Sequence, residues 1–184
     1  KQLTMASKSK NKGKGFEREM ANFLSDLYQL SFIRVPASGA FVGGANAVRK
    51  DILSEGQIRG AKSDIIPPDT WNHFNMECKN YSEFPFHQLV WNKPVLKLDE
   101  WLEQTLDSAQ DKDFNILAMK FNRKGRYVCF ETKLTAPERQ VRLTMGSHVL
   151  YTHNKSNTHW VFTEFDSFWQ LNKSQVAQLS TQGI

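Results

Sequence analysis

The chain has 184 residues, which suits one domain and is ample for a hydrophobic core. Hydrophobic residues make up 40% of it, which excludes a chain that is disordered throughout, and no apolar run approaches the length of a membrane span. Its 24 basic residues exceed its 19 acidic residues by enough to give a formal charge of +5. This excess is modest but unevenly spread along the chain.

Cysteine use and the start of the chain predict where the protein resides. Cys78 and Cys129 fall within predicted strands, so we expect reduced core thiols rather than a disulfide. No apolar stretch follows the lysine-rich start, so no signal peptide is predicted. We therefore expect an intracellular protein, in the cytoplasm or nucleoid or in a virus-infected cell, with no membrane partner.

The first predicted elements are a basic arm and a helix. Residues 1–11 are rich in Lys, Ser and Asn and are predicted to be disordered; their lysines either stay solvated or contact nucleic-acid phosphate. Lys12 and Lys14 alternate with glycines just before a helix predicted from about Phe16 to Leu30. The helix prediction is based on apolar residues at helical spacing: Phe16, Met20, Phe23, Leu24 and Leu27.

Two acids stand near the start of this helix. Glu17 falls at the edge of the apolar stripe, and Glu19 lies further round the helix. Glu17 is therefore the acid that we expect to reach over a neighbouring sheet. The alternative is that both glutamates only stabilise the positive helix N-terminus.

A strand, a turn and a long insertion follow. Ser31–Val35 is predicted to be a strand, and Pro36–Gly39 a turn that contains Ser38. Residues 39–63 are rich in Gly and Ala and are predicted to form an inserted loop, with one possible helical turn at Val48–Leu53. The basic residues of this loop are candidate phosphate contacts: Arg49, Lys50, Arg59 and Lys62.

The central stretch of the sequence is His73–Lys79. Apolar and polar residues alternate along it, which predicts a strand with Glu77 and Lys79 on one side and Phe74, Met76 and Cys78 on the other.

Asp64 lies just upstream, at the head of the apolar pair Ile65-Ile66. If this pair formed a hairpin with the central strand, Asp64 would lie beside Glu77. Two carboxylates would then supply the hard oxygen ligands that Mg²⁺ prefers, and Lys79 would place a positive charge near a water or a phosphate. An ordinary ion pair on an exposed strand face explains the same residues without chemistry.

The rest of the chain predicts further helices and strands. Asn80–Pro94 is predicted to be a mixed loop or short helix, and the tight turn Asn122–Gly125 contains Arg123 and Lys124, which either form a plain hairpin tip or contact phosphate. The other predicted elements, in order, are helix Leu98–Gln110, strands Phe114–Phe121, Arg126–Glu131, Val141–Thr144, Val149–Thr152 and His159–Phe165, and a last helix capped by Asp166 and reaching Leu179.

Two common classes of site do not fit the sequence. The five histidines show no paired spacing with either cysteine, which argues against a zinc site. Gly43-Gly44 is not followed by Gly-Lys-Ser/Thr, which argues against a phosphate-binding P-loop.

Four segments, in order, resemble archaeal-type Holliday-junction resolvases within the PD-(D/E)XK nuclease superfamily. The first is Lys12-Gly13-Lys14-Gly15-Phe16-Glu17-Arg18-Glu19, which is similar to the family's Lys-Gly-X-X-X-Glu-Arg-Glu opening. The others are Arg34-Val35-Pro36-Ala37-Ser38-Gly39, Asp64-Ile65-Ile66, and Glu77-Cys78-Lys79. Phe114–Glu131 is similar to a later strand pair, so the resemblance covers residues 12–131. It implies an α/β fold with a central mixed β-sheet flanked by helices.

The resemblance also implies roles for residues. Carried over position by position, the family's catalytic glutamate, serine, aspartate, glutamate and lysine match Glu17, Ser38, Asp64, Glu77 and Lys79. Mg²⁺, or Mn²⁺ in its place, would be bound by Asp64, Glu77, the backbone carbonyl of Cys78 and Glu17. Arg34, Lys12 and Lys14 would join the loop and turn residues in contacting DNA. The family further implies a homodimer that cuts branched DNA on opposed strands.

The expected organisation is a basic arm at 1–11, a nuclease core at 12–131 with the inserted loop, and a C-terminal extension at 132–184 packed on the core. The insertion is longer than the family's usual connection, and the extension has no clear family counterpart. Two other functions therefore stay open. One is a sequence-specific endonuclease of restriction or homing type on the same fold, and the other is a DNA-binding protein without catalysis.

Overall fold

The computed structural model describes residues 5–35, 63–132 and 142–183. The described strands are β1 (Ile33–Arg34), β2 (Ile65–Ile66), β3 (Phe74–Tyr81), β4 (Phe114–Phe121), β5 (Gly125–Thr132), β6 (His148–His153) and β7 (Thr158–Glu164). The described helices are α1 (Met5–Tyr28), α2 (Phe86–Val90), α3 (Leu96–Ser108) and α4 (Phe165–Gln182).

Over the described part of the chain, the main sheet has five strands in the order β3-β4-β5-β7-β6. β3 and β4 are parallel, and every other neighbouring pair is antiparallel. A parallel pair needs a crossover connection, and α2 and α3 supply it between β3 and β4. The mixed central sheet flanked by helices that the sequence predicted is confirmed.

Each face of this sheet packs into its own hydrophobic cluster. On one face, α1 and α4 cover the even-numbered residues of β4, Phe114, Ile116 and Ala118. On the other face, α3 covers the odd-numbered residues Leu117 and Met119 together with Phe121. Because β4 is apolar on both sides, it lies in the interior of the sheet, as buried strands of mixed sheets do.

The first helix is longer than predicted. It begins at Met5, so residues 5–11 are helical and the prediction of disorder is wrong for them. Ala, Met and Lys are good helix formers, so the helix continues through Gly13 and Gly15. Each of these two glycines lowers helix stability by about 1 kcal/mol relative to alanine.

The last elements complete the sheet and one of its two helical layers. β6 and β7 add two strands beside β5, and α4 packs on the same face as α1. Two predictions here are wrong. The described part of predicted strand Val141–Thr144, residues 142–144, forms no strand. Helix α4 is capped by Glu164 rather than by Asp166, and the Glu164 carboxylate accepts hydrogen bonds from the backbone N–H groups of Asp166 and Ser167.

The pairing predicted for Ile65-Ile66 is also wrong. β2 pairs antiparallel with β1, with Arg34 opposite Ile65, and not as a hairpin with β3. Where the structure describes both segments, a backbone hydrogen bond connects them instead: the Asp64 N–H donates to the Met76 carbonyl at 3.2 Å. Pro67 and Pro68 lack the N–H groups that a continued ladder would need, which accounts for the short pairing.

Two further findings bear on the composition. Cys78 and Cys129 are free and buried, as predicted. None of the helices that the structure describes is long and apolar enough to cross a membrane.

Candidate active site

β3 positions the first two candidate residues. Its apolar residues Phe74, Met76 and Cys78 pack into the cluster under α1 and α4, and the alternation turns Glu77 and Lys79 to the other side. The Lys79 Nζ lies 2.6 Å from Glu77 Oε1. Both side chains are mostly shielded from solvent, so this ion pair differs from the ordinary surface pair that the sequence left open.

Asp64 reaches β3 from the segment before β2. Its Oδ2 accepts a hydrogen bond from the backbone N–H of Cys78 at 2.8 Å, and the residue is only 5% exposed. Its carboxyl group is also close enough to Glu77 to raise the pKa of that side chain. The structure therefore brings Asp64 beside Glu77 as predicted, although by a different strand pairing.

The proximity of Asp64 changes the acid–base behaviour of Glu77. Burial chiefly, and then the Asp64 charge, raise the pKa of Glu77 to about 7, while Lys79 acts in the opposite direction. Two adjacent carboxylates that resist joint ionisation favour any cation that can bind between them. This donor set consists of hard oxygens, which fit Mg²⁺ or Mn²⁺.

Glu17 and Arg34 form the third part of the site. Arg34 Nε lies 2.6 Å from Glu17 Oε2, with both side chains less than one-fifth exposed. Burial and the Asp64 charge raise the pKa of Glu17, and Arg34 and Lys14 oppose them. Glu17 is thus close enough to Asp64 to interact with its charge. Glu19 turns elsewhere and pairs with Lys120 and Arg126.

Gln104 of α3 is a site residue that the sequence analysis missed. Its Oε1 accepts a hydrogen bond from Lys79 Nζ at 2.6 Å, so the lysine is held between Glu77 and Gln104. Gln104 is one of several polar residues on the exposed face of a predicted helix, and no spacing distinguishes it from its neighbours. Only the packing of α3 against β3 identifies it.

The candidate metal ligands of this site are two carboxylates and a backbone carbonyl. Across residues 5–35, 63–132 and 142–183, no three His, Cys, Asp or Glu side chains converge as a ready metal-binding cluster. Asp64 and Glu77 nevertheless form a two-carboxylate set, and Cys78 directly follows Glu77 in the chain. The Cys78 thiol lies in the core and its pKa is raised by burial, so only its backbone carbonyl suits such a set.

The structure describes only some of the other predicted contacts. The turn with Arg123 and Lys124 lies beside the end of β3, since the Asn122 N–H donates to the Tyr81 carbonyl at 3.1 Å. Gly125 adopts a φ of 90°, as the predicted turn allows, and Lys124 pairs with Glu83. The remaining predicted site residues lie outside the part of the chain that the structure describes: Ser38, Arg49, Lys50, Arg59, Lys62, the predicted turn at 48–53 and the Lys12 side chain.

The fold and this constellation define the class of protein. A mixed sheet flanked by helices, with an aspartate before a short strand and Glu-X-Lys on the next, has the arrangement of a PD-(D/E)XK nuclease. A family model described as "Phage putative PDDEXK endonuclease" matches residues 8–178, and the chain belongs to that family. The match includes most of the segment after residue 131, for which the resemblance had offered no counterpart. Searches of curated proteins and of solved structures found no match.

Proposed function

We propose that the protein is a divalent-metal-dependent DNA endonuclease that hydrolyses a phosphodiester bond at the site formed by Asp64, Glu77 and Lys79. The observation that supports this most strongly is the placement of Asp64 beside β3, where its Oδ2 accepts a hydrogen bond from the Cys78 N–H at 2.8 Å, next to the Glu77–Lys79 pair at 2.6 Å. The family, whose description names an endonuclease, supports the same reaction class.

In this proposal, Asp64, Glu77 and the backbone carbonyl of Cys78 bind Mg²⁺, with Mn²⁺ as a substitute. A bound divalent ion would lower the pKa of a coordinated water and neutralise charge that develops on the phosphate. The chain's own contribution is to hold the two carboxylates adjacent. A bound cation would favour their joint ionisation, which the metal-free site resists. Glu17 completes the acidic environment of Asp64.

Lys79 orients the attacking water and stabilises the charge on the scissile phosphate. Glu77 and Gln104 accept from two of its three N–H donors, which, within the described residues, leaves one donor for an oxygen of the substrate. Ser38 would donate a hydrogen bond to a phosphate oxygen. The basic residues of the arm, the loop and the 122–125 turn would contact flanking phosphates.

The proposed substrate is branched DNA, cut by a homodimer inside a virus-infected cell. The four segments that resemble Holliday-junction resolvases support the substrate and the dimer, and the phage description of the family supports the setting. Two opposed active sites are what a symmetric junction requires.

The substrate assignment is tested by a Mg²⁺-dependent cleavage panel of four-way junction, flap and linear duplex DNA of matched sequence, with the cut positions mapped. We expect the junction to be cut fastest, at paired positions on opposed strands, and light scattering to give the mass of a dimer. Cutting of linear duplex at one sequence, with no preference for branches, would favour the sequence-specific endonuclease instead.

A further inference from the structure

We propose that Arg34 acts as a built-in cation beside Glu17, so that the site binds one divalent ion, at Asp64 and Glu77, rather than two. The inference rests on the proposed function, and it specifies how that site is loaded. Without Arg34, Glu17 would be the natural additional ligand, since it is the third carboxylate of the site after Asp64 and Glu77.

The backbone fixes Arg34 at this position. Arg34 lies opposite Ile65 in the β1–β2 pair, and the next residue, Val35, donates its N–H to the Asp64 carbonyl at 2.9 Å. The strand that carries Arg34 is therefore tied to the segment that carries Asp64. The guanidinium group cannot leave Glu17 by a movement of β1 without disturbing Asp64 itself.

The geometry of the ion pair favours a lasting contact. Arg34 Nε and Glu17 Oε2 are 2.6 Å apart, with side-chain exposures of 19% and 13%. A charge-assisted hydrogen bond between partly buried groups is stronger than its exposed counterpart, and removing one partner leaves the other charge uncompensated. Glu17 is thus already neutralised before any metal ion arrives.

The charge balance leads to the same number of ions. Of the three carboxylates Glu17, Asp64 and Glu77, two are in direct ion pairs, with Arg34 and Lys79, and the described residues show no ion pair for Asp64. Full ionisation therefore leaves the charge of Asp64 without a contacting cation. One divalent ion more than offsets that charge. A second divalent ion next to Arg34 would be repelled by it as well as by the first ion. The lack of a three-ligand cluster among the described residues agrees with Glu17 being turned to Arg34.

The test counts Mn²⁺ ions bound by the full chain without DNA, from the free Mn²⁺ signal in electron paramagnetic resonance. We expect one ion for the wild-type chain and two for Arg34→Met, because Glu17 is then released as a ligand. Arg34→Lys keeps the positive charge and should bind one ion. The double variant Glu17→Gln/Arg34→Met lacks the released ligand and should also bind one.

Arg126→Met is the matched control. Arg126 pairs with Glu19 on the same helix as Glu17, and its replacement should leave one bound ion. Circular dichroism checks that each variant is folded, and Arg34→Gln replaces Arg34→Met should the latter fail to fold. Two ions in the wild-type chain, or one ion in the folded neutral variant of Arg34, would overturn this inference and leave the nuclease proposal standing. No bound Mn²⁺ at a concentration that supports cleavage would contradict the metal site and this inference together.

Discussion

The environment of Glu77 favours the protonated form of its carboxyl group while no metal ion is bound. Its pKa in the folded protein is about 7, above the ordinary 4.5, because of burial and Asp64. A raised pKa means that the folded state binds the proton more tightly than the unfolded chain. The resulting stabilisation is complete below pH 4.5 and is lost as the pH rises to 7, with a size on the order of 3 kcal/mol.

Glu77→Gln should therefore stabilise the metal-free protein at pH 8 while it removes a proposed ligand. Urea unfolding at pH 5 and pH 8 measures this effect. We expect the variant to match the wild type near pH 5, where Glu77 is mostly neutral, and to exceed it at pH 8. Glu83→Gln changes an exposed acid and should leave the pH dependence unaltered. A Glu77→Gln variant that is less stable than the wild type at pH 8 would contradict this electrostatic explanation.

At the scale of elements, a buried polar network connects β3 to α3. The Asn75 Nδ2 donates to the Thr105 backbone carbonyl and to Asn115 Oδ1, both at 2.8 Å. The Asn75 Oδ1 accepts a hydrogen bond from Ser108 Oγ at 3.0 Å. The network lies on the face of β3 that carries Glu77 and Lys79. It therefore sets the position of α3, and with it the contact of Gln104 with Lys79.

Asn75→Ala should both destabilise the protein and impair catalysis. The partners of Asn75 are buried, so their unsatisfied polar groups should cost about 2–3 kcal/mol in the free energy of unfolding. Lys79 would lose its fixed position because α3 is no longer tied to β3, so the turnover number should fall more than DNA affinity. Denaturant unfolding and single-turnover cleavage measure the two effects. Asn122→Ala, in an exposed turn, is the control, and equal behaviour of the two variants would contradict the argument.

The elements that the sequence predicted well are those with a long, regular pattern. Strand Phe114–Phe121 was predicted with its observed bounds, and helix Leu98–Gln110 was found at Leu96–Ser108. β1 and β2 have two residues each, too few for a period to specify a partner. Their pairing, and hence the route by which Asp64 reaches Glu77, depends on long-range packing that no local pattern encodes.

The site shows the same division. The Glu-X-Lys alternation correctly predicted that Glu77 and Lys79 share a face of the strand. The helical spacing predicted that Glu17, rather than Glu19, reaches over the sheet, and Glu17 is the one that lies near Asp64. The ion pair of Glu17 with Arg34 and the contact of Lys79 with Gln104 each join residues from separate elements. Side chains that meet only through tertiary packing leave no spacing in the sequence.

At the scale of the whole molecule, the candidate site lies at one edge of the main sheet. Within the described residues, β3 is the outermost strand on that side, and the β1–β2 pair lies next to it through the Asp64–Met76 hydrogen bond. Glu77 is thus held by a strand of the sheet and Asp64 is hydrogen-bonded to that strand, while the turn at 122–125 lies beside the end of β3. A basic chain with an acidic site at a sheet edge is suited to a polyanion that approaches from outside.

The most direct test of the nuclease proposal is the rate of Mg²⁺-dependent DNA cleavage by the wild type and by Asp64→Asn, with DNA affinity measured in parallel. The asparagine keeps an oxygen for the Cys78 N–H but lacks the charge, so we expect cleavage to fall at least about 100-fold with affinity changed only a few-fold. Asp107→Asn, on the exposed side of α3, should cut at the wild-type rate. We expect wild-type cleavage to stop when the metal is chelated. Cleavage by Asp64→Asn at the wild-type rate, or cleavage that persists without metal, would contradict the proposed site.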